Sequence, residues 1–154
     1  MKLYKLVLVA ALTALSSGCS DNVADVNTTH GQSLSWQQLE GPVVVNYFAE
    51  WCAPCLRELP ELNEFYHQQQ EQQNKVTLIG VSFDPLDNTG INRLAKRHDI
   101  NYPLALANPT PQFPFERPKM LPATYVIFPD GRVTGPMMGE QTLSSLQQAV
   151  SSTD

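Results

Sequence analysis

The chain has 154 residues, 42% of them hydrophobic, and a formal charge of −5. That length and composition suit one globular domain with an ordinary core. The acidic balance excludes general nucleic-acid binding, which needs a basic footprint.

Lys2 and Lys5 form a short positive stretch, and Leu6 to Leu15 is an apolar run of ten residues. Such a run is too short to span a bilayer as a helix. Ser16-Ser17-Gly18 and Cys19 follow, completing the layout of a secretory signal peptide. The small-small-Gly-Cys ending resembles the bacterial lipoprotein signal, although Ser16 stands where leucine is usual. The resemblance implies a signal peptide over residues 1–18, cleavage before Cys19, and lipidation of its sulfur. Removing two lysines and no acid takes the charge from −5 to −7. Lipidation of Cys19 leaves Cys52 and Cys55 as an even pair, with no odd thiol in an oxidising compartment. Serine at position 20, where an aspartate would signal inner-membrane retention, implies passage to the outer membrane, with Asp21 a residue later arguing the other way. The chain is thus expected to be anchored to a membrane rather than to span it.

Residues 20 to 32 are polar, lack aromatics and show no sustained period. With Cys19 they are predicted to be a flexible tether, residues 19–32, ahead of a domain over residues 33–154. Leu34, Trp36 and Leu39 are its first expected anchors. Val43 to Phe48 is a nearly continuous apolar run, as a buried central strand requires. From Cys52 a helix is predicted to about Gln73, with Leu56, Leu59, Leu62, Phe65 and Tyr66 at helical spacing and a kink at Pro60. Val76 to Phe83 reads as a second buried strand and Asn88 to Asp99 as a shorter helix. Tyr102 to Ala107 reads as extended, and the proline-rich stretch from Asn108 to Lys119 as a loop. Thr124 to Phe128 and Arg132 to Met137 are predicted to form a hairpin around Pro129-Asp130-Gly131. Thr142 can cap a last helix through Val150. The first half suits parallel strands joined by a crossover helix, and the second adds an antiparallel hairpin and a closing helix.

Trp51-Cys52-Ala53-Pro54-Cys55 stands at the junction of the first core strand and the first helix. Backbone N–H groups at a helix N-terminus favour a thiolate, the reactive form of cysteine. Cys52 is therefore the candidate nucleophile. Cys55, one turn later, is the candidate resolving thiol. Pro54 falls in the first turn, where a missing N–H costs little. Ala53-Pro54 offers no donor to the thiolate, which tilts the pair toward reductant behaviour. Trp51 is expected to shield the cysteines and to present an apolar docking face. A zinc site wants four ligands, and His30, His67 and His98 are scattered with no second cysteine pair, so no metal is expected.

The segment Val45 to Pro60, Val-Asn-Tyr-Phe-Ala-Glu-Trp-Cys-Ala-Pro-Cys-Leu-Arg-Glu-Leu-Pro, resembles the signature of the membrane-tethered extracytoplasmic reductases of the TlpA and ResA kind. Leu121-Pro122-Ala123-Thr124-Tyr125-Val126-Ile127 resembles their second signature, a proline loop leading into a core strand. The resemblance implies an α/β, thioredoxin-like fold, a central mixed β-sheet flanked by helices. It implies a redox-active Cys52–Cys55 disulfide. It implies a cis Pro122 that packs against the disulfide and leaves the Leu121 backbone free to pair with a substrate strand. A glutamate at position 58 is then part of the active site and exchanges protons with the thiols, the other reading being a solvated first-turn carboxylate. Asn46 replaces the buried aspartate of cytoplasmic thioredoxin and cannot act as a base, which leaves Glu58 or water for that task.

The expected function is a membrane-anchored periplasmic disulfide reductase using a Cys-Ala-Pro-Cys dithiol and no cofactor. Its expected partners are protein thiol or disulfide substrates and an upstream dithiol electron donor. A disulfide donor or isomerase stays open, as does a redox-inactive, metal-handling thioredoxin-like module. A peroxidase is disfavoured because Glu50 stands where a threonine or serine would precede the reactive cysteine.

Overall fold

Every residue of β3, Val43–Phe48, is buried, as its apolar run requires when both faces of a strand are covered. The computed structural model describes residues 24–151. A two-strand hairpin, β1 (Val26–Asn27) and β2 (Ser33–Leu34), precedes β3. Then come α1 (Ala53–Glu71), β4 (Thr77–Ser82), α2 (Asn88–Arg97), β5 (Ala123–Ile127), β6 (Val133–Met138) and α3 (Leu143–Ser151). The main sheet has the order β4-β3-β5-β6. β4 runs parallel to β3, and β5 and β6 are antiparallel to their neighbours. The long connection through α1 supplies the crossover that a parallel pair needs.

Strand alternation divides the core in two. Val44 and Phe48 point into a cluster with Leu59, Leu62 and Phe65 of α1, Ile91 and Leu94 of α2, and Leu146 of α3. Val43, Val45 and Tyr47 point the other way, toward Val26 of the hairpin and the aromatic loop residues Phe113 and Phe115. This is the mixed sheet with packed helices expected of a thioredoxin-like fold.

The expected tether is corrected at its C-terminal half. Val26 is 1% exposed, Thr28 bridges to Ala105, and the Gln112 N–H donates to the Asp25 carbonyl. Residues from Asp25 onward therefore belong to the folded unit, which starts well before Ser33. Strands of two residues are too short to show the alternation by which a strand is read from sequence. The hairpin is held instead by contacts more than seventy residues away, such as the Leu106 N–H donating to the Asn27 carbonyl at 2.8 Å. The signal peptide over 1–18 and lipidation of Cys19 lie outside the described residues.

The remaining differences are small. α1 ends at Glu71, two residues before the expected Gln73, and includes Pro60; α2 ends at Arg97 rather than Asp99. Asp87 caps α2 by accepting from the Gly90 N–H at 2.6 Å.

Candidate active site

β3 and β5 are antiparallel with Tyr47 opposite Ala123, so the end of β3 and the start of β5 share one edge of the sheet. From β3 the chain turns through Ala49, Glu50 and Trp51, with the Cys52 N–H donating to the Ala49 carbonyl at 3.1 Å. Cys52 is the N-cap of α1, and its sulfur accepts from the Cys55 N–H at 3.3 Å. Pro54 lies in the first helical turn. Cys52 and Cys55 form a disulfide with S–S 2.00 Å and Cα–Cα 5.2 Å. Cys55 is sealed, whereas Cys52 keeps 5% of its surface, less than the exposed position expected of a nucleophile. Solvent or a partner thiol meets the pair only through Cys52.

Trp51 is 65% exposed and does not close over the disulfide as a buried shield would. Its indole N–H donates to Asp84 Oδ1 at 3.0 Å, and its ring meets Phe83 edge-on. The rim of the site is therefore a fixed aromatic surface. Glu50 is half-exposed rather than free: Arg97 donates to its Oε1 at 2.7 Å, and His98 Nε2 lies 2.9 Å from the same oxygen. These contacts hold its carboxyl below the usual range, His98 being the main cause.

The other side of the site is the Leu121–Pro122 bond, which is cis. The Pro122 carbonyl accepts from the Gly139 N–H at 3.0 Å, tying the loop to the end of β6. Leu121 packs against the core cluster that contains both cysteines. No turn, loop or cap hydrogen bond engages the Leu121 backbone among the described residues.

Glu58, one turn after Cys55 on α1, is only 1% exposed, so the buried alternative holds over the solvated one. Its Oε1 accepts from Asn46 Nδ2 at 2.8 Å and its Oε2 from the Gln141 N–H at 2.8 Å. No cation is among these partners. Both donors favour the carboxylate, but burial outweighs them and pushes the Glu58 carboxyl up to about 7. A carboxyl at that value exchanges a proton near neutral pH, as a proton carrier must. Asn46 Nδ2 also reaches Thr124 Oγ1 at 3.1 Å.

The sequence alone places Asn46 beside the chemistry only as a missing aspartate and gives no sign of its donation to Glu58. One signal points that way, since a fully buried amide in an apolar strand must find partners. Thr124 and Gln141 escape a sequence reading altogether, because nothing local links them to residue 58. Among the described residues no group of three or more His, Cys, Asp or Glu side chains could hold a metal ion.

Fold and site together define the class: a thioredoxin-like thiol–disulfide oxidoreductase with a Cys-x-x-Cys pair. The AhpC/TSA family model matches residues 21–135, and the chain belongs to that family. It is similar to the thiol-disulfide oxidoreductase ResA of a Bacillus cereus strain, with 28% identity over 123 residues, covering 79% of this chain and 69% of the relative. Two solved structures share its fold. StoA from Bacillus subtilis superposes with a TM-score of 0.66 at 18% identity, covering 80% of this chain and 92% of that one. A thiol:disulfide interchange protein from Chlorobium tepidum TLS gives a TM-score of 0.61 at 24% identity, covering 80% and 88%.

Proposed function

We propose that this protein is a membrane-anchored, periplasm-facing disulfide reductase. The observation that carries the reading is the disulfide at the head of α1, with Cys52 reachable and Cys55 sealed. In the reduced protein, the Cys52 thiolate attacks one sulfur of a substrate disulfide. A mixed disulfide forms and the other substrate sulfur leaves as a thiolate. Cys55 then gives up its proton and attacks the Cys52 sulfur, closing the Cys52–Cys55 bond and releasing the second substrate thiolate. Glu58, three residues after Cys55 on the same helix and poised near neutral pH, takes that proton. An extended substrate segment pairs with the Leu121 backbone beside Pro122 and rests on Trp51. Two electrons must return from an upstream dithiol protein to restore the reduced state.

The lipoprotein-like signal ending at Cys19 supports the membrane anchor, and Ser20 supports the outer membrane. Ala53-Pro54 supports the reducing direction, since neither residue donates from its side chain to the Cys52 thiolate.

The test is the reduction potential of Cys52–Cys55 in the purified protein, by equilibration with glutathione and dithiothreitol buffers. A value below about −200 mV is expected of a reductant. A value near about −120 mV reverses the direction of electron flow and makes the protein a disulfide donor. A pair that does not cycle overturns the enzyme reading.

A further inference from the structure

Asn46 is fully buried in the central strand, and its two amide atoms fare differently. Nδ2 donates twice, to Glu58 Oε1 at 2.8 Å and to Thr124 Oγ1 at 3.1 Å. Oδ1 has no hydrogen-bond partner. A buried amide oxygen without a donor is uncommon and calls for a reason. Nothing on the Oδ1 side locks the amide in its present orientation.

The present orientation suits an ionised Glu58. A carboxylate only accepts, and it receives Asn46 Nδ2 on one oxygen and the Gln141 N–H on the other. When Glu58 takes up a proton, one oxygen becomes a donor. Oε2 faces a backbone N–H that cannot turn, so the proton belongs on Oε1. There it meets Asn46 Nδ2, a donor against a donor. Rotating the Asn46 amide by half a turn brings Oδ1 to face Glu58 and removes the conflict. Thr124 can follow, because a hydroxyl that accepts from Nδ2 can equally donate to Oδ1. Each orientation leaves one amide atom unpaired, so this cost does not favour either one.

We infer that Asn46 is a proton-responsive positioning residue: its side-chain amide reverses with the protonation of Glu58, and Thr124 serves both orientations. The inference deepens the proposed reductase mechanism. Glu58 can receive a proton from Cys55 only if the acid form has an acceptor, and the reversed Asn46 supplies it. The groups that face Glu58 are limited. Asn46 comes from β3, and the Gln141 N–H and Glu140 come from the segment before α3. The buried Tyr102 phenol, from the segment after α2, also feels its charge. On α1 itself, Cys55 lies in the disulfide and Arg57 is paired with Glu140.

The test is NMR on the full chain in its disulfide form, with labelled Asn46 amide and Glu58 carboxyl groups, titrated from about pH 5 to about pH 9. At high pH the Nδ2 protons should show close contacts to Thr124 and Glu58. Those contacts should fade, and the Nδ2 resonance move, with the same midpoint as the Glu58 carboxyl carbon. Glu58→Gln should hold the reversed amide at every pH, because Gln141 requires the Gln oxygen and leaves its NH₂ facing Asn46. Contacts that persist unchanged across the range, or that remain strong in Glu58→Gln, overturn the inference. The measurement involves no thiol exchange. A failure here leaves the reductase reading standing, and a pair that fails to cycle leaves the amide reversal standing.

Discussion

Glu58 has ordinary chemistry in an unusual place. In the unfolded chain its carboxyl titrates near 4.5; in the fold, burial moves it to about 7. Below about pH 7 the folded protein therefore holds the neutral acid. Stability from this group is fully present below about pH 4.5, because both states then hold the proton. Between about 4.5 and 7 the unfolded chain gives up its proton while the folded protein keeps it, so stability falls as pH rises, and it levels off above 7. The shift of about 2.5 corresponds to roughly 3 kcal/mol across that window. Glu58→Gln cannot ionise; its oxygen keeps the Gln141 N–H paired and its NH₂ donates to the Oδ1 of a reversed Asn46. Urea unfolding of this variant should show a flatter stability profile between about pH 4.5 and 7, and a gain over wild type above 7. Matching profiles for the two proteins would refute a buried, proton-holding Glu58. The sequence located Glu58 one turn beyond Cys55. It could not show burial, because the residues that cover it come from β3 and from the segment before α3.

Among the elements, β3 was the most legible, since five apolar or aromatic residues around one asparagine admit few other readings. Its pairing depends on close fit. Gly80 of β4 lies opposite Asn46, and a Cβ there would come 2.5 Å from Leu104 Cδ2 and 2.9 Å from Tyr102 Cε2. Tyr102 and Leu104 are fully buried and have nowhere to retreat. Gly80→Ala should cost about 1–3 kcal/mol by overpacking, lowering Tm by roughly 3–10 °C. A wild-type Tm would mean that the segment after α2 gives way freely. The hairpin β1–β2 was the least legible element. Apart from Val26 and the half-buried Leu34 its sequence is mostly polar, so its stability comes largely from distant partners such as Ala105 and Gln112.

For the molecule as a whole, the anchor and the folded unit are separate matters. The folded unit begins by Asp25, so few residues separate it from Cys19. A lipidated Cys19 would therefore hold the folded unit within a short reach of the membrane surface. Cys19→Ala should move the protein from the membrane fraction to the soluble fraction and leave the potential of Cys52–Cys55 unchanged, as fractionation and redox equilibration would show. Continued membrane association of Cys19→Ala would count against the lipid anchor.

The cis Pro122 was expected from the family resemblance of its loop; local signals were enough for the cysteine pair and for the strand and helix on either side of it. In each, the chemistry and the conformation depend on residues adjacent in the chain: a helix N-terminus favours a thiolate, and an apolar run demands burial. The state of Glu58, the orphaned oxygen of Asn46, the fixed Trp51 and the folded hairpin needed the assembled protein. Each depends on partners remote in sequence: Gln141 for Glu58, Thr124 for Asn46, Asp84 for Trp51 and Leu106 for Asn27 of the hairpin. Burial and hydrogen bonding act over a few ångströms of space, and a chain reveals its spatial neighbours only once it has folded.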